Sequence, residues 1–166
     1  MEVDPDLLHA LETQLEQSSS FADSAEAQVW LLDMSIRLQP YLVDPQQRLA
    51  LLRDVHAAAL AHDLPPEMVL AVIEVESAFD AKAISSAGAL GLMQVMPFWT
   101  RELGRPDDNL LNASTNIRYG CTILAHYLHR ESGDWRRALN RYNGRLRNNP
   151  YADKVLHRLR QHWFQQ

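Results

Sequence analysis

The stretch from Val72 to Pro97 constrains the fold most, because it joins an apolar helical run to a long loop of small residues. Apolar residues precede Glu76 by three, four and seven positions, which lie on the same face of an α-helix. Residues 78–96 are then rich in Ala, Ser and Gly and lack helical periodicity. Loops of this length are uncommon inside compact domains and are often functional. We therefore expect a helix that ends near Ser77 and presents Glu76 to a functional loop.

The rest of the chain is predicted to be helical. The predicted helices span about residues 5–17, 23–38, 45–62, 66–77, 97–103, 114–130 with Ser114 as cap, 134–142 with Asp134 as cap, and 150 onward. Residues expected to face the core are Ala27, Trp30, Leu31, Met34 and Leu38, then Leu49, Leu52, Val55, Ala59 and Leu60, then Ile117, Cys121, Leu124 and Leu128, and near the end Val155, Leu159 and Trp163.

No alternating strand pattern of useful length and only 6 glycines are present, which disfavours an all-β fold. The prediction is an all-α protein, with at most a small hairpin within residues 80–95. Residues 1–44 are expected to form an N-terminal helical extension and residues 45–166 the main domain.

The charge is divided unevenly along the chain. Residues 1–129 carry 7 Lys and Arg against 18 Asp and Glu, whereas residues 130–166 carry 9 against 3. An anionic partner would therefore meet the C-terminal part. The net charge of −5 and the lack of a nucleic-acid motif indicate that nucleic acid is not the partner.

Other classes of site find little support. The single Cys121 excludes an internal disulfide, and its helical position predicts a core thiol. His126 and His129 lie three apart, but a third ligand is not evident, so we expect no metal site. We expect no cofactor, because the phosphate-binding glycine motifs are missing. The chain also has no apolar run of about 20 residues that could span a membrane.

Glu76 is the candidate for chemistry. A carboxyl group in apolar surroundings has a raised pKa, and a general acid at neutral pH needs a pKa of about 6–7. On position alone, a partly exposed glutamate at a helix end, paired with an arginine, is an open alternative. The following loop supplies neutral hydrogen-bonding groups, which suit a neutral sugar; these are Ser85, Ser86, Gly88, Gly91 and Gln94. Met93, Met96, Phe98 and Trp99 are mostly expected in the core, with one or two lining a saccharide groove.

Tyr142 and Asn143 add a phenol and an amide at the end of a helix, although together with Gly144 they also fit an ordinary helix C-cap. The ordered set Glu76-Ser77, Gly91-Leu92-Met93-Gln94, Met96-Pro97 and Tyr142-Asn143 resembles the soluble lytic transglycosylase family. Ser85 also stands where that family places a hydroxyl. Asn116-Ile117 with Gly120 and Tyr127-Leu128 resembles the family's long helix, and the resemblance covers about residues 46–164.

This resemblance implies a lysozyme-like domain that cleaves peptidoglycan glycan strands between N-acetylmuramic acid and N-acetylglucosamine. The product would end in 1,6-anhydro-muramic acid. Glu76 would be the single general acid and base, one of the exceptions to the two-carboxylate rule. The substrate-binding residues would be Ser85, Gln94, Met96, Tyr142 and Asn143.

Two alternatives stay open. A goose-type muramidase would hydrolyse the same bond with a second carboxylate such as Asp80, where relatives often have Asn; a loop cap is the other interpretation of Asp80. Asp107 and Asp108 are weaker candidates for that role. A non-catalytic peptidoglycan-binding scaffold is the second alternative. Arg141, where the family commonly has a small residue, is expected either to contact the muropeptide or to lie on the surface.

The cellular location is expected from the substrate to be the periplasm or cell envelope. The first residues lack the basic start and apolar middle of a signal peptide. The N-terminal helices are a candidate surface for a cell-wall protein partner. The oligomeric state is not predicted.

Overall fold

The computed structural model describes residues 25–164, so the helix predicted over 5–17 lies outside the described residues. Within residues 25–164 the elements are α1 (Ala25–Leu38), α2 (Pro45–Ala61), α3 (Pro66–Ser77), α4 (Trp99–Leu103), α5 (Ala113–Arg130), α6 (Trp135–Asn143), α7 (Tyr151–Arg158) and a π-helical turn (Leu159–Trp163). The all-α prediction is confirmed, and the predicted helix boundaries that fall within residues 25–164 hold to within about two residues.

The helix starts follow from local capping chemistry. Asp44 accepts a hydrogen bond from Gln46 N at 2.9 Å at the start of α2, and Asp134 accepts one from Arg137 N at 3.1 Å at the start of α6. The prediction that Ser114 caps α5 was wrong. Asn112 is the cap, because its backbone is extended and its side chain accepts from Thr115 N at 3.0 Å.

The hydrophobic core contains all five residues predicted in α1 and most of those predicted in α2 and α5. Leu60 is the exception, since 52% of it is exposed. The buried face of α2 runs through Leu51, Leu52, Val55 and Ala59. Leu60 follows Ala59 by one residue, a turn of about 100° that carries it off this face.

Helix α3 occupies the centre of the molecule. The six residues from Met68 to Ile73 are all buried, as expected for a helix that is apolar on every side. It packs against α2 and, on another side, against α7 and the π-helical turn. Glu76 is therefore placed on the last turn of a helix whose position is set by three neighbouring elements.

The loop after α3 contains two isolated antiparallel bridges, which pair Ile84 with Leu90 and Leu90 with Val95. Leu90 and Val95 exchange two main-chain hydrogen bonds of 3.0 and 2.9 Å. The hairpin considered from the sequence is thus reduced to single bridges, and no longer strand occurs between residues 25 and 164. None of the helices in this range is long and apolar enough to cross a membrane.

Candidate active site

Glu76 is half-buried at the end of α3, one turn beyond the fully buried Val72 and Ile73. Burial in these apolar surroundings raises the pKa of its carboxyl to about 7, and an interaction with the Tyr151 hydroxyl offsets part of this effect. Glu76 therefore exchanges its proton near neutral pH. This is the property that the sequence predicted for a general acid.

Two tyrosines lie on the side of Glu76 contributed by the C-terminal half of the chain. The negative charge of Glu76 contributes to the raised pKa of both Tyr142 and Tyr151, although burial is the largest cause for each. Tyr151 is 5% exposed, and its hydroxyl has no partner that meets the distance and angle limits of a hydrogen bond. Both phenols are thus neutral groups that lie close enough to Glu76 to be influenced by its charge.

The end of α3 is fixed to the following loop by Ser77. Its Oγ lies 2.8 Å from the carbonyl oxygen of Leu92 and 3.1 Å from that of Ile73. The helix then terminates because Ala78 adopts a left-handed conformation with φ of 49°. Ser77 thereby holds the Gly91–Gln94 turn beside the helical turn that carries Glu76.

The Gly91–Gln94 turn needs glycine at its first position. Gly91 has φ of +74°, and a Cβ there would lie 2.5 Å from Asn116 Nδ2 and 2.6 Å from the carbonyl oxygen of Leu110. Gln94 also has a positive φ of 53°. Its side-chain nitrogen donates to the carbonyl oxygens of Gly91 at 2.9 Å and Ala83 at 3.2 Å. Both amide protons of Gln94 are therefore engaged within the loop, and its side-chain oxygen is the group left to accept a further hydrogen bond.

Asn116, on α5, supports this turn from below. It is fully buried, accepts a hydrogen bond from Met93 N at 2.8 Å and donates to the carbonyl oxygens of Leu90 and Leu110, each at 2.8 Å. One turn later Gly120 leaves room for Met93, whose Sδ would lie 2.3 Å from a Cβ at that position. A buried amide with three hydrogen bonds fixes the turn against α5.

Tyr142 reaches the same turn from α6. Its hydroxyl donates to the carbonyl oxygen of Met93 at 2.6 Å. Gly144 ends the helix in a left-handed conformation with φ of 111°, which confirms the C-cap interpretation of this segment. Asn143 is exposed, and its Oδ1 accepts a hydrogen bond from Asn149 at 2.9 Å, so its amide protons remain available.

The other predicted binding residues lie in the loop between α3 and α4. Ser85 closes a tight turn, because its Oγ accepts from Ala89 N and its own N donates to Ala89 O, both at 3.0 Å. Its hydroxyl proton is still free to be donated. Met96 is half-buried near the end of this loop, whereas Met93 is fully buried and belongs to the core, as expected.

Two of the three other candidate carboxylates, Asp80 and Asp108, are engaged elsewhere, and the third, Asp107, is exposed. Asp80 is exposed and accepts a hydrogen bond from Lys82 N at 2.9 Å, which confirms the loop-cap interpretation. Asp108 accepts from Tyr119 Oη and from Arg105 N. Arg141 forms an ion pair with Glu131, so its guanidinium is held by a neighbouring carboxylate.

Sequence reasoning missed Tyr151 and the supporting role of Asn116. Tyr151 begins α7 and lies four residues before the buried Val155, so helical periodicity could have placed it on the buried face. Asn116 was noticed only as part of a motif, since a polar residue among apolar helix positions does not reveal which loop it supports. Cys121 is a fully buried free thiol whose pKa burial raises to about 12, as the core interpretation required.

Comparisons with curated proteins give partial matches. The chain is 36% identical over 90 residues to a transglycosylase of Enterobacteria phage PRD1, a match covering 54% of this chain and 33% of that protein. It is 40% identical over 80 residues to membrane-bound lytic murein transglycosylase C of Actinobacillus pleuropneumoniae, covering 43% of this chain and 22% of that protein. The matched region thus spans a third or less of these relatives.

Solved structures agree on the fold. An inactive Glu-to-Gln mutant of lytic transglycosylase Slt from Pseudomonas aeruginosa superposes with a TM-score of 0.51 and 25% identity, over 65% of this chain and 21% of that one. The 70-kDa soluble lytic transglycosylase in complex with bulgecin A superposes with a TM-score of 0.53 and 23% identity, over 81% and 23%. These neighbours confirm the lysozyme-like fold.

The sequence model of the family described as Transglycosylase SLT domain matches residues 54–162. This range includes the end of α3 with Glu76, the Gly91–Gln94 turn, and the Tyr142 and Tyr151 positions. It covers more than half of the chain, and it confirms the resemblance that the ordered motifs indicated. The chain therefore belongs to the Transglycosylase SLT domain family.

Proposed function

We propose that this chain is a peptidoglycan lytic transglycosylase in which Glu76 is the single general acid and base. The observation that carries the proposal is the pKa of about 7 at a half-buried carboxyl, beside a loop of neutral hydrogen-bonding groups. The substrate would be the β-1,4 bond between N-acetylmuramic acid and N-acetylglucosamine. The product would be a 1,6-anhydro-muramic acid end.

The reaction would need two proton transfers. Neutral Glu76 first donates its proton to the glycosidic oxygen as the bond to the anomeric carbon breaks. The N-acetyl group of the muramic acid stabilises the positive charge on that carbon. Ionised Glu76 then takes the proton from the C6 hydroxyl, whose oxygen bonds to the anomeric carbon. Glu76 ends neutral and no water is consumed, so a single carboxyl suffices.

The neighbouring residues would hold the turn in place and bind the sugars. Tyr142 acts through its bond to Met93, which holds the turn. Gln94 offers its carbonyl oxygen, Ser85 a hydroxyl proton and Asn143 an amide to the hydroxyl and acetamido groups of the sugars. Met96 supplies an apolar surface along the groove.

The names of the relatives support this substrate and this residue type. One is a lytic murein transglycosylase described as membrane-bound, and one solved neighbour is a Glu-to-Gln mutant described as inactive. By analogy we place the present chain at peptidoglycan in the periplasm or cell envelope. We also keep the N-terminal residues 1–44 as a candidate extension for a cell-wall protein partner, with residues 45–166 as the catalytic domain.

The hydrolytic alternative is less well supported. A goose-type muramidase would need a second carboxylate, yet Asp80 is exposed and engaged in capping the Lys82 amide. A non-catalytic scaffold would not need a carboxyl group poised near neutral pH. The muramidase would form reducing-end products and the scaffold would form none, so both alternatives are distinguishable from the transglycosylase.

Mass spectrometry of digested peptidoglycan tests the proposal. We expect anhydro-muropeptides from the wild type and from Asp80→Asn, and none from Glu76→Gln. Reducing-end products, each heavier by one water molecule, would show a hydrolase instead, especially if Asp80→Asn abolished them. Binding to glycan strands without turnover, unchanged in Glu76→Gln, would favour the scaffold.

A further inference from the structure

We propose that Glu74 of α3 and four residues outside α3, namely Tyr41, Phe79, His162 and Trp163, form a rear clamp that positions Glu76, with Glu74 and His162 as its central positioning residues. The inference rests on the proposed function of Glu76. It assigns a role to a buried carboxylate that lies outside the site described above.

Glu74 receives partners from three separate segments. Its side chain is 4% exposed. Oε1 accepts a hydrogen bond from Tyr41 Oη at 2.6 Å and lies 2.5 Å from His162 Nδ1, which must carry the shared proton if the carboxylate is ionised. Oε2 lies 3.3 Å from Arg158 Nε, at ion-pair distance. The α1–α2 connection, α7 and the π-helical turn thus all contact this one carboxylate.

Phe79 follows Glu76 by three residues in the chain and contacts two of the segments that also meet Glu74. Its ring centroid lies 5.0 Å from that of Tyr41 and 5.6 Å from that of Trp163. Phe79 is 3% exposed and adopts a left-handed conformation with φ of 64°. A non-glycine residue keeps this conformation only when its surroundings impose it. Tyr41 and the His162–Trp163 pair therefore fix the chain both two residues before and three residues after Glu76.

The clamp acts from the side of α3 that faces away from the reaction. Glu74 and Glu76 are two residues apart, which separates their side chains by about 200° around the helix. The main-chain carbonyl of Glu74 accepts from Ala78 N at 3.0 Å, the bond that ends α3. A shift of Glu74 would therefore move the helix end and the Glu76 side chain together, without any contact with substrate.

The π-helical turn and the following Phe164 are themselves bound to α1. Arg37 Nη1 donates to the carbonyl oxygens of His162 at 3.0 Å and Phe164 at 2.9 Å. Its Nε pairs with Asp33 at 2.9 Å. His162 is thus presented to Glu74 from a braced segment, and α1 contributes to the clamp although it carries no group of the candidate site.

Stability alone is a weak reason for this network. The ion pairs of Glu74 join a buried carboxylate to partners whose side chains are 46% (Arg158) and 39% (His162) exposed, and such pairs contribute little net stability. Partners from three segments nonetheless fix the position of this one carboxylate. Catalysis is sensitive to such geometry, since misplacement of a catalytic group by about 1 Å can cost about a hundredfold in rate. The structure thus assigns Glu74 and His162 a geometric role for Glu76.

Four variants test the clamp. Glu74→Gln removes the negative charge of the carboxylate, and His162→Ala removes the imidazole ring. His162→Asn keeps an amide nitrogen close to the position of Nδ1. His157→Ala is the matched control, because His157 is an exposed histidine that lines the pocket beside Glu74. Each variant is assayed for kcat and KM on peptidoglycan glycan strands, for Tm, and for hydrogen exchange of the Ala78 amide.

We expect kcat to fall about tenfold in Glu74→Gln and His162→Ala, with KM within about twofold of wild type. Exchange of the Ala78 amide should become faster by about tenfold in the same two variants. His162→Asn should recover most of both properties, and His157→Ala should resemble wild type. Tyr41→Phe, which removes only one hydroxyl, serves if either of the first two fails to fold, and it should lower kcat in the same direction.

Unchanged kcat in folded Glu74→Gln and His162→Ala would overturn the clamp, whatever the change in Tm. Equal losses in His157→Ala would also overturn it, since the effect would then be unspecific. Failure of the proposed function is distinguishable from failure of the clamp. In that case the wild type forms no anhydro product, while the exchange of the Ala78 amide still reports whether Glu74 and His162 hold the end of α3.

Discussion

Tyr142 donates a hydrogen bond of 2.6 Å to the main-chain carbonyl oxygen of Met93, which joins the end of α6 to the turn beside Glu76. Met93 is fully buried, and its amide is already bound by Asn116 at 2.8 Å. Both polar groups of this one peptide segment are therefore satisfied by side chains from two different helices. The geometry of the candidate site depends on this arrangement, because the same turn carries Gln94.

Tyr142→Phe should leave the Met93 carbonyl without its partner while keeping the ring. We expect a loss of about 1–2 kcal/mol in the free energy of unfolding, the usual result of leaving a buried acceptor unpaired. Activity should fall as well, since the turn would no longer be fixed. Urea unfolding and peptidoglycan digestion measure the two effects. Tyr127→Phe is the control, because the Tyr127 ring packs edge-on against Trp99, with 6.5 Å between the ring centroids. Equal losses in both variants would contradict the assignment.

The pH dependence of activity should reflect Glu76. Its carboxyl must be protonated to donate to the leaving oxygen, and its pKa is about 7. We therefore expect kcat/KM to be highest below about pH 7 and to fall about tenfold per pH unit above it. Steady-state rates across this range provide the test, and a rate that stays flat to pH 9 or so would argue against Glu76 as the acid.

Tyr151→Phe should shift the fall of kcat/KM with rising pH to a higher pH. The interaction with the Tyr151 hydroxyl lowers the pKa of Glu76 against the larger effect of burial. Without the hydroxyl the pKa should rise, so activity should persist to higher pH than in the wild type. The shift is read from the same rate profiles. A shift towards lower pH would show that the hydroxyl does not stabilise the ionised form.

Glu76 should also make stability depend on pH. Its carboxyl has a folded-state pKa of about 7, raised by burial above the ordinary 4.5, so the folded state binds the proton more tightly than the unfolded state. This stabilisation is complete below the unfolded pKa and is lost as the pH rises through the folded pKa. Glu76→Gln cannot ionise. Its stability relative to wild type should therefore increase by roughly 2–3 kcal/mol between about pH 4 and pH 8. Urea unfolding at both pH values measures the difference, and a constant difference would contradict the raised pKa.

The sequence predicted the helices and the position of Glu76 on an apolar helix face well, because both depend on local signals. Apolar residues at helical spacing placed α3, and the same spacing put Glu76 on the apolar side. Ser114 and Leu60 were assigned wrongly because a neighbouring Asn made the better cap and because one residue of helical phase decides exposure. Long-range partners could not be predicted, since nothing local indicates that Glu74 meets His162 or that Asn116 reaches the Met93 amide. These contacts exist only after the helices pack.

Gly91→Ala should be severely destabilising for two reasons, backbone strain and a clash with Asn116. Gly88→Ala isolates the first of them. Both glycines have positive φ, +74° at Gly91 and +90° at Gly88. A Cβ at Gly88 would meet nothing within 4 Å, whereas one at Gly91 would lie 2.5 Å from Asn116 Nδ2. We expect Gly88→Ala to cost about 1 kcal/mol from backbone strain alone. Gly91→Ala should cost about 3–4 kcal/mol, because displacement of the buried amide adds to the strain. Thermal unfolding of the two variants measures the difference, and equal Tm values would show that Asn116 can move aside and does not fix the turn.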